Sequence, residues 1–223
     1  MQKAAFLIIV LFCCHPAIGQ FYRTDGDSTI SAEVKALQSK NIDTVVCLYF
    51  DRYFMPEARE VKGLGLIYPN EDYYFFYRRG GRSYSEKLLL YSDTNTFNFV
   101  RSAEVLIGED SLFVWLRKNI EYIQWEDIRP FIFQVGAGDS LYYETYEPFH
   151  QMVYYLRLYT PSDSSYKAIN INDLKSNVRD NNPNSYANLN YLYNIHTRLY
   201  RFFIWIKGYA DKLEETYNFK KKE

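Results

Sequence analysis

The sequence predicts an α+β domain: an antiparallel β-sheet of hairpins covered by helices, with a long amphipathic helix at the C-terminus. Three observations predict it. The first lies between Asn184 and Phe219, where Leu189, Leu192, His196, Leu199, Phe203, Ile206, Ala210, Leu213 and Tyr217 follow one another in steps of three and four. Those steps place all of them on one stripe of a helix. A flanking row of Tyr191, Ile195, Phe202, Trp205 and Tyr209 widens the stripe, which suits packing on a sheet better than a coiled-coil seam. The second is Gly80-Gly81, set between the aromatic run Tyr73–Arg79 and the apolar run Arg82–Tyr91. Two glycines can both take positive φ, as a two-residue hairpin turn requires. The third is the recurrence of short β-rich runs broken by turn residues, as at Gly136-Ala137-Gly138-Asp139 and Pro161-Ser162-Asp163-Ser164-Ser165.

Taken in order, the chain opens with Lys3, an apolar run from Ala4 to Cys14, and the small-residue pair Ala17-x-Gly19. This reads as a secretory signal peptide over residues 1–19, cut after Gly19, with a single domain over residues 20–223. The apolar run is shorter than the ~20 residues that span a bilayer, and no later run approaches that length. The expected location is secreted or periplasmic, with no membrane span after cleavage. Gln20–Ser28 reads as a loose polar lead. Ile30, Val34 and Leu37 mark a first helix ended by Lys40-Asn41, and Asp43–Tyr53 reads as a buried strand. Pro56–Gly65 is charged and broken by Pro and Gly, hence a loop; Leu64–Tyr68 is a short edge strand. The Gly-Gly hairpin follows. Its two-residue turn sets Arg79 opposite Arg82 and Tyr77 opposite Tyr84. Ser92–Thr96 turns and Phe97–Val100 starts another strand.

Asp110 or Ser111 caps a helix carrying Leu112, Trp115, Leu116, Asn119, Ile120 and Ile123, with Phe113 and Val114 keeping a strand open as the alternative. Arg129–Val135, Ser140–Tyr146, Gln151–Tyr159 and Tyr166–Leu174 read as strands. Lys175–Asn184 is a polar connection, and Asn182-Pro183 offers an N-cap and first-turn proline for the final helix.

Composition narrows the function classes. The net charge is −1, without the basic excess that draws proteins to nucleic acid. Only Cys47 of three cysteines lies outside the signal, so no internal disulfide forms, and its place in Val45-Val46-Cys47-Leu48-Tyr49 reads as a small core residue. Aromatics make up 19 % of the chain, with 23 tyrosines, whose rings offer apolar area and a hydroxyl to a protein or glycan. An AT-rich coding sequence accounts for the same surplus.

No catalytic motif appears: neither G-x-S-x-G, nor H-E-x-x-H, nor a Cys-His pairing. Gly136-x-Gly138 lacks the third glycine of a dinucleotide loop, and Asp25–Thr29 lacks the glycine and final acid of a calcium loop. No cofactor and no metal ligand set is expected. Arg78, Arg79 and Arg82, flanked by Tyr77 and Tyr84, form the one local concentration of charge that points to a binding site. Like charges opposed across a hairpin are destabilising unless an anion or acidic partner offsets them, and guanidinium forks suit carboxylate, sulfate or phosphate. A hairpin tip with its arginines splayed into water is the plain alternative. The sequence therefore reads as an exported accessory or binding domain without catalytic chemistry, whose partner is an envelope protein or an anionic glycan. Two alternatives stand beside it. One is a hydrolase-type enzyme in which Glu144 or Glu147 orients His150 as a base. The other is an inhibitor or immunity-type protein that blocks another enzyme.

Overall fold

The computed structural model describes residues 17–51, 59–61, 65–67, 69–93, 96–109, 111–136, 140–148, 152–179 and 185–216. The apolar run Ala4–Cys14 lies outside them. The chain divides into two compact units, one reaching to Ile42 and the other starting at Asp43.

The described residues of the first unit form a helix, α1 (Ala17–Gln38). Its helical spacing is the one read from Ile30, Val34 and Leu37, and all three are buried. Gln20–Ser28, read as a loose lead, belongs to this helix instead. Ser39, Lys40 and Asn41 bond back onto its last carbonyls. Asn41 then turns the chain with a φ of 61°, a left-handed conformation that asparagine tolerates.

The second unit is built on a seven-stranded antiparallel sheet. Its strands are β1 (Val45–Asp51), β4 (Pro69–Arg79), β5 (Arg82–Asp93), β6 (Thr96–Arg101), β7 (Val105–Glu109), β10 (Val153–Tyr159) and β11 (Ser164–Asn170). The spatial order is β11-β10-β1-β4-β5-β6, with β7 also paired to β5. The Val45–Leu48 run sits at the centre with no measurable exposure, as expected of a strand covered on both faces. The β4–β5 hairpin has the register read from its turn, with Arg79 against Arg82 and Tyr77 against Tyr84. Gly80 and Gly81 take φ of 58° and 76°, the paired positive values of a tight hairpin turn.

Helices α2 (Ser111–Trp125) and α4 (Arg198–Thr216) cover one face of the sheet. Strand alternation sends Val46, Leu48, Tyr74, Phe76, Leu156 and Leu158 to that side. They meet Leu112, Leu116 and Ile123 of α2 and Leu199, Phe202, Phe203 and Ile206 of α4 in one core. Each fully buried side chain of this size contributes roughly 1.5–3 kcal/mol. Trp115 stacks on Phe202 at 6.1 Å, and Lys87, buried under the end of α4, is held by Asp72 at 3.6 Å and by Glu214.

Smaller ladders join β2 (Arg59–Val61) to β3 (Gly65–Ile67), β8 (Ile132–Val135) to β9 (Tyr142–Thr145), and β12 (Asn177–Arg179) to β13 (Ser185–Ala187). A 3₁₀ turn spans Ile171–Leu174. Strand β2 lies within the stretch read as a loop, and β7 has no counterpart in the sequence reading.

The main departure concerns the C-terminal helix. In place of one helix over Asn184–Phe219, the chain forms β13, a short α3 (Tyr191–His196) and then α4. Asn182-Pro183 lies outside the described residues, as does Tyr217. Thr197 is extended, at φ −68° and ψ 150°. Its hydroxyl accepts from the Tyr200 amide at 3.0 Å and donates to the Asn194 carbonyl at 2.8 Å. Glu126 accepts the Leu199 amide at 2.8 Å. Two side chains thus satisfy amides at the start of α4, where a carboxylate also meets the positive end of the helix dipole.

The break is locked from the other side by Asn194, which is fully buried. Its side-chain amide donates to the carbonyls of Arg129 and Asp173, both at 2.9 Å, and its oxygen accepts the Arg129 amide. Asn188 ties the carbonyls of Asp173 and Lys175 in the same way, and Asp173 accepts the Phe131 amide at 2.7 Å. Three segments that lack regular pairing there are held together by side-chain amides, as buried backbone groups require.

Candidate functional site

The hairpin residues singled out in the sequence do not share one surface. Alternation along β4 turns Tyr77 and Arg79 to one face and Arg78 to the other. Tyr77 is fully buried, and its hydroxyl lies 2.9 Å from Glu86 Oε1 and 2.5 Å from Glu104 Oε2. Burial, reinforced by those two carboxylates, pushes its pKa far above the ordinary phenol value. Arg79 donates to Glu104 Oε1 at 2.5 Å, and its guanidinium lies 4.6 Å from the centre of the Tyr84 ring. The hydrogen bond to Glu104 raises the Arg79 pKa. Arg82 is exposed at the start of β5, opposite Glu109 of β7 in the ladder. An acidic residue of the chain itself, Glu104, therefore engages Arg79, and strand β4 runs only two residues past its last β1 partner, Tyr77. Arg78, half-buried on the far face, points toward α2, where it lines a small cleft.

His150 lies outside the described residues. Glu144 sits on β9 and Glu147 just beyond it, both exposed. His196 is exposed at the end of α3 rather than buried on a stripe, its Nδ1 2.5 Å from the Leu192 carbonyl. Cys47 is a buried free thiol. Among the described residues no three His, Cys, Asp or Glu side chains come together as a metal set, and no helix is long and apolar enough to cross a membrane.

The most exposed large apolar side chains outside the hairpin lie at the end of α2 and on α3. Trp125, the last residue of α2, is 86 % exposed. Tyr122, three residues earlier and hence on the same side of the helix, is half-exposed and carries the Arg198 guanidinium 3.5 Å above its ring. Arg198 opens α4 directly after α3 and lies 3.8 Å from Glu126. On α3 itself, Leu192 is 67 % exposed and Tyr193 is half-exposed, and Leu189 in the turn before the helix is exposed as well. Arg129 stacks on Tyr193 at 3.6 Å while its backbone is held by Asn194. The result is two arginine–tyrosine stacks, Arg198 on Tyr122 and Arg129 on Tyr193, with Trp125, Leu189 and Leu192 exposed close to them along the chain. A lone exposed apolar residue is ordinary, but an exposed tryptophan with a half-exposed tyrosine on the same side of its helix is the kind of group that interaction surfaces carry.

The sequence reading missed this surface because it placed Leu189 and Leu192 on the apolar stripe of the C-terminal helix and gave no role to Tyr122, Trp125 or Tyr193. The available signal was Asn194: a short amide directly behind Leu192-Tyr193 interrupts an apolar row and marks the turned side of the helix.

Fold and site together define an α+β domain whose seven-stranded antiparallel sheet carries two helices on one face, with an aromatic and arginine surface beside them. Comparison with known protein families, with characterised proteins and with solved structures yields no match.

Proposed function

We propose that the chain is an exported accessory domain that binds an envelope protein through the Trp125 surface and contributes no chemistry of its own. The observation that carries this reading is the exposure of Trp125 on the same helix side as Tyr122, together with exposed Leu192 and Tyr193, with Arg129 and Arg198 stacked on the two tyrosines. Trp, Tyr and Arg are the residue types that dominate binding energy at protein interfaces. The stacked arginines hold the rings in place before a partner arrives, which lowers the entropy lost on docking. A protein suits this surface better than an anionic glycan. Leu189 and Leu192 offer a sugar no hydrogen bond, and at the hairpin Arg79 is engaged with Glu104.

Export rests on the signal-like N-terminus. The binding reading is tested by crosslinking capture from envelope extract. One bait is residues 20–223, a second carries Trp125→Ser and Tyr193→Ser, and a third carries Ser at Arg78, Arg79 and Arg82. The expected result is a protein captured by the first and third baits and lost from the second. Capture by the first and second alone would move the site to the hairpin.

A further inference from the structure

Strand β11 forms one edge of the sheet: among the described residues it pairs with β10 and with no other strand. The bonds from the Thr160 amide to the Asp163 carbonyl and from the Ile171 amide to the Met152 carbonyl fall on the register of the β10–β11 ladder. In an antiparallel ladder bonded pairs alternate, so Ser165, Lys167 and Ile169 bond to β10 and the residues between them turn their backbone groups off the edge. Tyr166 and Ala168 are exposed, and among the described residues no hydrogen bond reaches the outward N–H or C=O of either. Such an edge is a template for another strand unless charge, proline or a bulge guards it. The residues that line it, Ser164, Tyr166 and Ala168, are uncharged, and the ladder runs without a register shift. Lys167 is turned to the helix-covered face, where it pairs with Asp127 at 2.8 Å. On the other face a row of rings ends at the same edge. Tyr73, Tyr49 and Tyr155 stand directly across from one another on β4, β1 and β10, with ring centres 5.3 and 4.9 Å apart. Tyr166 follows one diagonal step on, at 5.9 Å from Tyr155, and is 44 % exposed as the last ring of the row.

We infer that β11 pairs antiparallel with β11 of a second copy of this chain, about a two-fold axis at Tyr166. In that orientation an edge strand is its own complement. Tyr166 faces Tyr166 of the second copy in a hydrogen-bonded pair, which carries the row of rings across the seam, and Ala168 faces Ser164. On the helix-covered face Lys167 meets Ser165 rather than its own counterpart. Each Lys167 then stands between its own Asp127 and, one diagonal step across the seam, Asp163 of the second copy, an exposed acid. An axis moved by one residue to Lys167 would set the two lysines directly opposite, which is destabilising. Charge and ring stacking together therefore select a second copy, in one register, as the occupant of this edge. The interface is separate from the Trp125 surface, and either can fail without the other.

The test uses residues 20–223 at submillimolar concentration. Sedimentation is expected to show a dimer for the parent and for Trp125→Ser, and a monomer for Tyr166→Lys, which sets like charges face to face on the axis, with an unchanged circular dichroism spectrum. Tyr166→Cys is expected to give a disulfide-linked dimer under mild oxidation, because residues facing each other in a hydrogen-bonded pair have Cα atoms about 5.5 Å apart, within reach of the bridge. Ala168→Cys is expected to give none, since the register leaves it about 13 Å from its counterpart. A monomeric parent, a folded Tyr166→Lys variant that stays dimeric, a Trp125→Ser variant that turns monomeric, no bridge at position 166 or a bridge at position 168 would overturn the inference. Should Tyr166→Lys fail to fold, the two cysteine variants decide.

Discussion

Asn194 and Asp173 carry more of the structure than their size suggests. Asn194 satisfies three backbone groups that have no ladder to join, and truncating it leaves them buried without it. Asn194→Ala is therefore expected to lower stability by about 3 kcal/mol, read from the urea midpoint at constant m-value. Asp173 is a different case. Its burial raises the pKa above the usual 3.8, against the smaller opposing pull of the Phe131 amide. A raised folded-state pKa means that the native chain holds the proton at pH values where the unfolded chain has lost it. Stability therefore falls as pH rises from about the unfolded value to the raised one, and stays at the lower level above it. Asparagine keeps an oxygen for the Phe131 amide and removes the charge. Asp173→Asn is expected to match the parent near pH 3 and to be the more stable of the two at pH 7. A stability difference that is the same at both pH values would contradict this account.

Among the elements, the ones fixed by local chemistry were legible from sequence and the ones fixed by tertiary contacts were not. Gly80-Gly81 admits few conformations, so it specified the turn and with it every cross-strand pair from Tyr77 to Tyr84. The steps of three and four from Leu199 to Ala210 gave the buried face of α4 correctly, because that face packs on the sheet. The same steps continue back through His196 to Leu189, yet there they point into solvent. What ends the periodicity is the Thr197 cap and the bonds of Asn194 to Arg129 and Asp173, partners 65 and 21 positions away along the chain. No local window contains them. The aromatic content left the exposed surface unplaced for a related reason: composition does not show which of many tyrosines and tryptophans turn outward. The cap can be tested by the sign of its effect. If Thr197 starts α4, Thr197→Ala removes the bond to the Tyr200 amide and costs about 1 kcal/mol in thermal or urea unfolding. If periodicity alone held one continuous helix, alanine, the better helix former, would stabilise it instead.

For the whole molecule, the sheet and its two covering helices form the rigid part, and α3 with the last turn of α2 presents what that part holds outward. The capping of α4 by Glu126 and the burial of Asn194 fix the backbone beside both arginine–tyrosine stacks, so the proposed docking surface is pre-formed rather than assembled on contact. Because Trp125 is almost fully exposed, its replacement should leave folding stability within about 0.5 kcal/mol of the parent while removing binding. The measurement that tests this most directly is site-specific photocrosslinking in intact cells. A photoreactive residue is placed in turn at Trp125, Leu192, Arg82 and Ser162, all exposed. The account predicts an adduct with one and the same protein from positions 125 and 192 and no adduct with that protein from 82 or 162. An adduct from position 82 with none from 125 or 192 would contradict it and return the site to the hairpin; no adduct from any position would contradict it as well.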